Sequence, residues 1–141
     1  MKQMNIKRIL AVDDEPNATR KLKLNLESTG DYEVLGENEA VNALAAARTF
    51  RPDLILLDVM MPDMDGTDVA ARLYEDPVLR DTPVIFLTGI VCNEETGGHE
   101  MVRGGETFLA KPVNTEALIK CIERTLSRKS RPRPQAIAFA S

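Results

Sequence analysis

Asp58 closes an unbroken apolar run, Leu54-Ile55-Leu56-Leu57, and a turn, Met61-Pro62-Asp63-Met64-Asp65-Gly66, follows it. A short apolar run bounded by turn residues reads as a parallel strand buried on both faces. A carboxylate at its carboxyl end sits on the rim where open α/β sheets bind ligands. Three other strand-like runs also end in reactive groups, at Asp13-Asp14, Thr88 and Lys111. One rim thus gathers three carboxylates, a hydroxyl and an ammonium. Crowded carboxylates repel one another and push at least one pKa up, and Lys111 offsets only one charge. The remaining deficit suits a divalent cation, and an all-oxygen donor set favours Mg2+. Zinc does not fit, because His99 is the only histidine and no cysteine pair lies near it.

With a phosphoryl donor present, this set of groups has what an in-line displacement needs. Asp58 attacks, Lys111 neutralises charge on the transferring group, and a metal is held between the carboxylates and the phosphoryl oxygens. The product is an aspartyl phosphate. A hydroxyl at Thr88 can donate to a phosphoryl oxygen, and Gly89 beside it leaves room for the group.

The elements that must position these groups alternate. Ile6 to Val12 reads as a strand. Asp14-Glu15-Pro16 opens a helix with an acidic cap and a proline where its missing N–H costs nothing; Ala18, Leu22 and Leu26 line it and Gly30 ends it. Tyr32 to Leu35 is a second strand, Glu39 to Phe50 a second helix, Arg51-Pro52 a break and Asp53 to Leu57 a third strand. Thr67 or Asp68 starts a third helix, Asp76-Pro77 ends it, and Thr82 to Leu87 is a fourth strand. Phe108 to Ala110 belongs to a fifth, closed by Lys111-Pro112, and Asn114 caps a last helix through about Leu126, with Leu118, Ile119 and Ile122 inward. Repeated strand–helix units with short connections imply a parallel sheet with helices on both faces. The segment 89–105 holds Gly89, Gly97, Gly98, Gly104 and Gly105. Each glycine costs a helix about 1 kcal/mol, so the fourth helix should be short or mobile.

A chain of 141 residues suits one domain that folds without disulfide or metal staples. Cys92 and Cys121 read as reduced thiols. No apolar run approaches a membrane span, and the amino terminus does not resemble a secretory signal, so a cytoplasmic location is expected. Residues 127–141 carry Arg128, Lys129, Arg131 and Arg133 and no acid; the rest has 14 basic against 22 acidic residues, a balance of −8. The acidic body argues against a nucleic-acid face on the domain itself. The Pro- and Arg-rich end reads as a disordered tail or linker after a domain of residues 1–126.

The acidic pair Asp13-Asp14, the stretch LILLDVMMPDMDG around Asp58, VIFLTG at Thr88 and FLAKPV at Lys111 stand in an order and spacing that resembles the receiver domain of a bacterial two-component response regulator. The resemblance covers residues 6–126. It implies a flavodoxin-like, doubly wound (βα)5 domain with a five-stranded parallel sheet in order 2-1-3-4-5, of which a chemotaxis receiver is the general example. Asp58 would be the phosphoacceptor. Asp14 and Asp58 would bind Mg2+ directly with the backbone carbonyl of Met60, and Asp13 partly through water. Thr88 and Lys111 would hold the phosphoryl group, Thr88 and Phe108 would form the switch, and the Lys111-Pro112 peptide is a candidate cis bond.

The implied role is signalling rather than enzymatic, beyond the domain's own phosphorylation and slow dephosphorylation. The implied partner is a sensor histidine kinase or phosphotransfer protein. A homodimer through the face of the fourth helix, fifth strand and last helix is a further expectation, and the glycine-rich segment departs from the family there. Met60 and Ile90, two residues beyond the phosphoacceptor and the threonine, are apolar and imply slow hydrolysis. The alternative is a receiver-like interaction or dimerisation module that works without phosphate. A phosphatase with an aspartyl nucleophile fits less well, because Glu15 follows Asp14 directly and the nucleophile lies on the third strand. PDMDG fails as a calcium loop, with Met61 and Arg72 at its end positions.

Overall fold

The computed structural model describes residues 5–89, 100–103, 105–111 and 113–128. The elements are β1 (Lys7–Val12), α1 (Pro16–Glu27), β2 (Tyr32–Glu37), a 3-10 turn (Ala40–Asn42), α2 (Ala43–Phe50), β3 (Leu54–Asp58), α3 (Gly66–Glu75), β4 (Val84–Thr88), β5 (Glu100–Arg103), β6 (Glu106–Ala110) and α4 (Thr115–Ser127). Among the described residues, one sheet holds every strand, in the order β2-β1-β3-β4-β6-β5. The five strands β2, β1, β3, β4 and β6 are parallel, with register pairs such as Leu10–Ile55, Leu56–Ile85 and Phe86–Phe108. Counting parallel strands alone gives the flavodoxin-like order 2-1-3-4-5, as expected.

Both faces of the central strands are covered, which is why their sequences run apolar without alternation. One core, beneath α2 and α3, holds Leu10, Val12, Ile55, Leu57, Val84 and Phe86. The other, beneath α1 and α4, holds Ile9, Ala11, Leu54, Leu56, Ile85 and Leu109. All five residues of β3 and all five of β4 are buried. Each fully buried Leu or Ile contributes about 1.5–3 kcal/mol, so the centre of the sheet is the rigid platform from which the loops emerge.

Several boundaries follow from local chemistry. Asp65 accepts from the Thr67 N–H at the start of α3, and Asn114 accepts from the Ala117 N–H at the start of α4. Arg51 takes the left-handed conformation, φ 54°, that stops α2. Two expectations need correction. Glu15 occupies the cap position of α1 and makes no side-chain cap bond; the neighbouring Asp13 carboxylate takes the Glu15 N–H instead, at 3.0 Å. The segment read as a fourth helix contributes a strand at residues 100–103, antiparallel to β6, with Met101 opposite Phe108. Gly105, at φ 84°, lies in the tight turn between them, where a left-handed residue favours a hairpin and glycines defeat a helix. The expected dimer face therefore lacks its helix over residues 100–103. Residues 90–99, Pro112 and the end beyond Arg128 lie outside the described residues, and with them the expectations for Ile90, Cys92, His99, the Lys111-Pro112 bond and the tail.

Candidate functional site

Four parallel strands end at one rim, and their last residues meet there. Asp13 continues β1 and is bound into the sheet by its N–H on the Glu37 carbonyl, 3.1 Å. Asp58 is the last residue of β3, paired in register with Leu87. Lys111 follows β6, and its backbone N–H donates to the Thr88 carbonyl at 2.8 Å. The Lys111 ammonium donates to Asp13 Oδ2 and to Asp58 Oδ1, each at 3.0 Å. Period-two alternation explains the convergence: Asp13, Asp58 and Lys111 continue the rows of Ala11, Leu56 and Leu109, which share the core beneath α1 and α4. Thr88 belongs to the other row with Phe86. It is buried, and a β-carbon placed on the following Gly89 would meet no heavy atom within 4 Å among the described residues.

Asp13, Asp14 and Asp58 each offer a carboxylate oxygen within 4.8 Å of the others, with Asp13 and Asp58 buried and Asp14 more open to solvent. This all-oxygen donor set fits Mg2+, which takes one or two carboxylates and keeps the remaining positions for water and phosphate oxygens. Three carboxylates against one ammonium leave the charge that such an ion neutralises. Burial pushes the Asp58 carboxyl above its ordinary value; the Lys111 hydrogen bond opposes this, and the nearby Asp13 and Asp14 charges add to the rise. Burial alone would lower the Lys111 ammonium, but its bonds to Asp13 and Asp58 outweigh that and raise it. The site thus holds a cation beside a carboxylate whose charge is disfavoured by burial and by its acidic neighbours and favoured by Lys111.

Phe108 is partly buried and stacks on fully buried Phe86, ring centroids 4.9 Å apart at 19°. Met60 is largely exposed on the loop beyond Asp58. Two contributors escaped sequence reasoning. Asn38 donates from Nδ2 to the Asp13 carbonyl at 2.8 Å and to Thr19 Oγ1 at 3.0 Å. Gly66 passes so close to the Asp58 backbone that a β-carbon there would sit 2.3 Å from the Asp58 carbonyl oxygen. The signal for Asn38 was obscured by a strand boundary. Strand β2 runs to Glu37, two residues beyond the expected Leu35, so Asn38 stands at a strand's carboxyl end like the other site residues. A cleft of about 530 Å3 opens between α1 and the start of α4, with Asp13, Glu15, Lys21, Lys111 and Leu118 on its walls.

A sheet of this order with acids and a lysine at its carboxyl rim defines the receiver class of signalling domain. Residues 9–123 match the response regulator receiver domain family, and the chain belongs to it. It is similar to the DNA-binding dual master transcriptional regulator RpaA of Synechocystis sp., 35% identical over 92% of this chain and 52% of that protein. It is also similar to protein PilH of Pseudomonas aeruginosa, 36% identical over 85% of this chain and 98% of that one. Among solved structures, chemotaxis protein CheY4 of Vibrio cholerae matches with a TM-score of 0.72 and 30% identity, over 85% of this chain and 98% of that one. The chain spans about half the length of RpaA and nearly all of PilH. Among the described residues, no helix is long and apolar enough to cross a membrane.

Proposed function

We propose that the chain is a phosphorylation switch in which Asp58 accepts a phosphoryl group from a phosphohistidine on a sensor kinase or phosphotransfer protein. A phosphorus–nitrogen bond breaks, a bond from phosphorus to an Asp58 carboxylate oxygen forms, and the donor imidazole leaves. The observation that supports this most directly is the Lys111 ammonium at 3.0 Å from both Asp13 and Asp58. Asp14 and Asp58, with the Met60 carbonyl and with Asp13 through water, would hold Mg2+, which supplies positive charge at the phosphoryl oxygens when bound. Lys111 neutralises a further oxygen, and the Thr88 hydroxyl donates to another.

The acyl phosphate then biases two pre-existing arrangements of Thr88 and Phe108, and the β6–β5 side of the sheet carries the change outward. The domain works as a signalling module in the cytoplasm rather than as an enzyme on other substrates, with residues 127–141 as a basic tail or linker. Incubation with Mg2+ and acetyl phosphate should add one phosphate by mass, and Asp58→Asn should abolish it. No mass shift with any phosphodonor would sink the reading.

A second reading, an interaction module independent of phosphate, draws on one observation: among the described residues, β5 is the last strand of the sheet, antiparallel beside β6. An oligomeric state that is the same with and without beryllium fluoride, together with unphosphorylated protein that binds its partner, would favour it.

A further inference from the structure

We infer that Asn38 is a positioning residue for the acidic pair, setting the direction of the peptide between Asp13 and Asp14; this rests on the reading of the rim as a Mg2+ site. The Asn38 amide spends its donors on two groups, the Asp13 carbonyl at 2.8 Å and the Thr19 hydroxyl at 3.0 Å. The Asp13 carbonyl belongs to the peptide plane that continues into Asp14. Rotating that plane swings the Asp14 α-carbon, and its carboxylate with it.

Among the described residues, no hydrogen bond or ion pair fixes the Asp14 carboxylate. The Asp13 carboxylate is fixed on both oxygens, one by the Glu15 N–H at 3.0 Å and the other by Lys111 at 3.0 Å. Asp14 is the more solvent-open member of the carboxylate group and depends on its backbone for direction.

The other end of the clasp is itself anchored. Thr19 is buried, and its hydroxyl donates to the Pro16 carbonyl at 3.1 Å. It also presses against Gly36, where a β-carbon would stand 3.0 Å from the Thr19 β-carbon. Gly36 at the end of β2 therefore lets α1 close down on the sheet and brings Thr19 within reach of Asn38. Asn38 joins β2, the β1 loop and α1 at the point where the two acids leave the sheet. Residues that orient metal ligands in this way alter metal affinity by about 10–100-fold when lost.

The test is calorimetric titration of the full chain with MgCl2, without any phosphodonor, followed by acetyl phosphate kinetics at saturating Mg2+. Asn38→Ala should weaken Mg2+ binding by about tenfold and leave the phosphorylation rate at saturating Mg2+ close to that of the parent. Asn38→Asp keeps the shape but loses the donors. Its added charge alone would tighten cation binding, so weakened binding by this variant identifies lost orientation. Thr19→Val keeps the Asn38–Asp13 bond but frees the far end of the clasp; it should lower the urea midpoint and weaken Mg2+ binding by clearly less than Asn38→Ala does.

Parent-like or tighter binding by whichever Asn38 variants fold overturns the inference, and so does a Thr19→Val loss as large as that of Asn38→Ala. A parent protein with no measurable Mg2+ binding overturns the metal reading itself, an outcome distinct from the other two.

Discussion

A β-carbon on Gly66 would lie 2.3 Å from the Asp58 carbonyl oxygen and 3.0 Å from the Val59 α-carbon. The contact is backbone against backbone, so no side chain can rotate away from it. It is reinforced by the Gly66 N–H, which donates to the Val59 carbonyl at 2.8 Å. The loop that leaves Asp58 is thus folded back onto its own origin by the first residue of α3. Gly66→Ala should push the loop off Asp58, costing about 1–3 kcal/mol of stability and slowing acetyl phosphate uptake out of proportion to that loss. Urea denaturation and phosphorylation rates on the same preparation check it; a variant of parental rate would show that the loop position is unimportant to Asp58.

The raised Asp58 carboxyl has a consequence for stability. A carboxylate whose folded pKa lies above its ordinary value of 3.8 costs the folded state when it ionises. The cost is absent below the unfolded value, grows as pH rises through the folded one, and persists above it. Asp58→Asn removes the charge and should raise the urea midpoint near neutral pH, with the difference vanishing at about pH 3. A variant less stable than the parent at neutral pH would contradict the sign.

Lys111 carries the opposite linkage. Its ammonium is held above 10.5 by Asp13 and Asp58 against the effect of burial, so its stabilisation is fully present below 10.5 and lost as pH rises through the folded value. Lys111→Met leaves three carboxylates facing one another and should cost about 1–3 kcal/mol near neutral pH. Added Mg2+ should raise the melting temperature of this variant more than that of the parent, because the ion then replaces the missing charge. Equal Mg2+ shifts in both would argue that the ion binds elsewhere.

Met60 is 59% exposed beside the acceptor, and a thioether has no strong donor or acceptor with which to orient an attacking water. Phosphorylated Asp58 should therefore decay slowly. Met60→Asn, which introduces an amide at that point, should shorten its lifetime several-fold; loss of radiolabel or of the added mass over time measures it. An unchanged lifetime would remove Met60 from the control of hydrolysis.

The parallel sheet and most of the rim were legible in the sequence because they rest on one-dimensional patterns. β3 and β4 are apolar throughout, and Asp58, Thr88 and Lys111 follow apolar runs directly. Asn114 sat where a cap was needed. The Asn38 clasp was hidden by a boundary, since Gly36 and Glu37 look like a turn and are strand. The Gly66 contact depends on a loop folding back in space, which composition does not encode. β5 was invisible for a different reason: Glu100-Met101-Val102-Arg103 is short and alternates weakly, and only pairing with β6 makes it a strand. Glycine content reduced the expectation there to a short or mobile helix and could not say that a strand stands at residues 100–103.

That pairing is held by a turn whose geometry is restrictive. Arg103 lies opposite Glu106, and Gly105 just before Glu106 sits at φ 84°. A β-branched residue there is strained by about 1–2 kcal/mol. Gly105→Val should loosen the hairpin and speed amide exchange along residues 106–109, where β6 loses its second neighbour. The other edge of β6 stays paired with β4, from Ile85–Thr107 to Thr88–Ala110. Lys111 should therefore keep its place, and the phosphorylation rate with acetyl phosphate should stay close to that of the parent. Phe108, opposite Met101 and stacked on Phe86, should register the change as a shift in its ring resonances. If exchange and resonances are unaltered in a folded Gly105→Val protein, β5 contributes nothing to the lysine strand. If phosphorylation collapses with them, the hairpin is part of the machinery that holds Lys111.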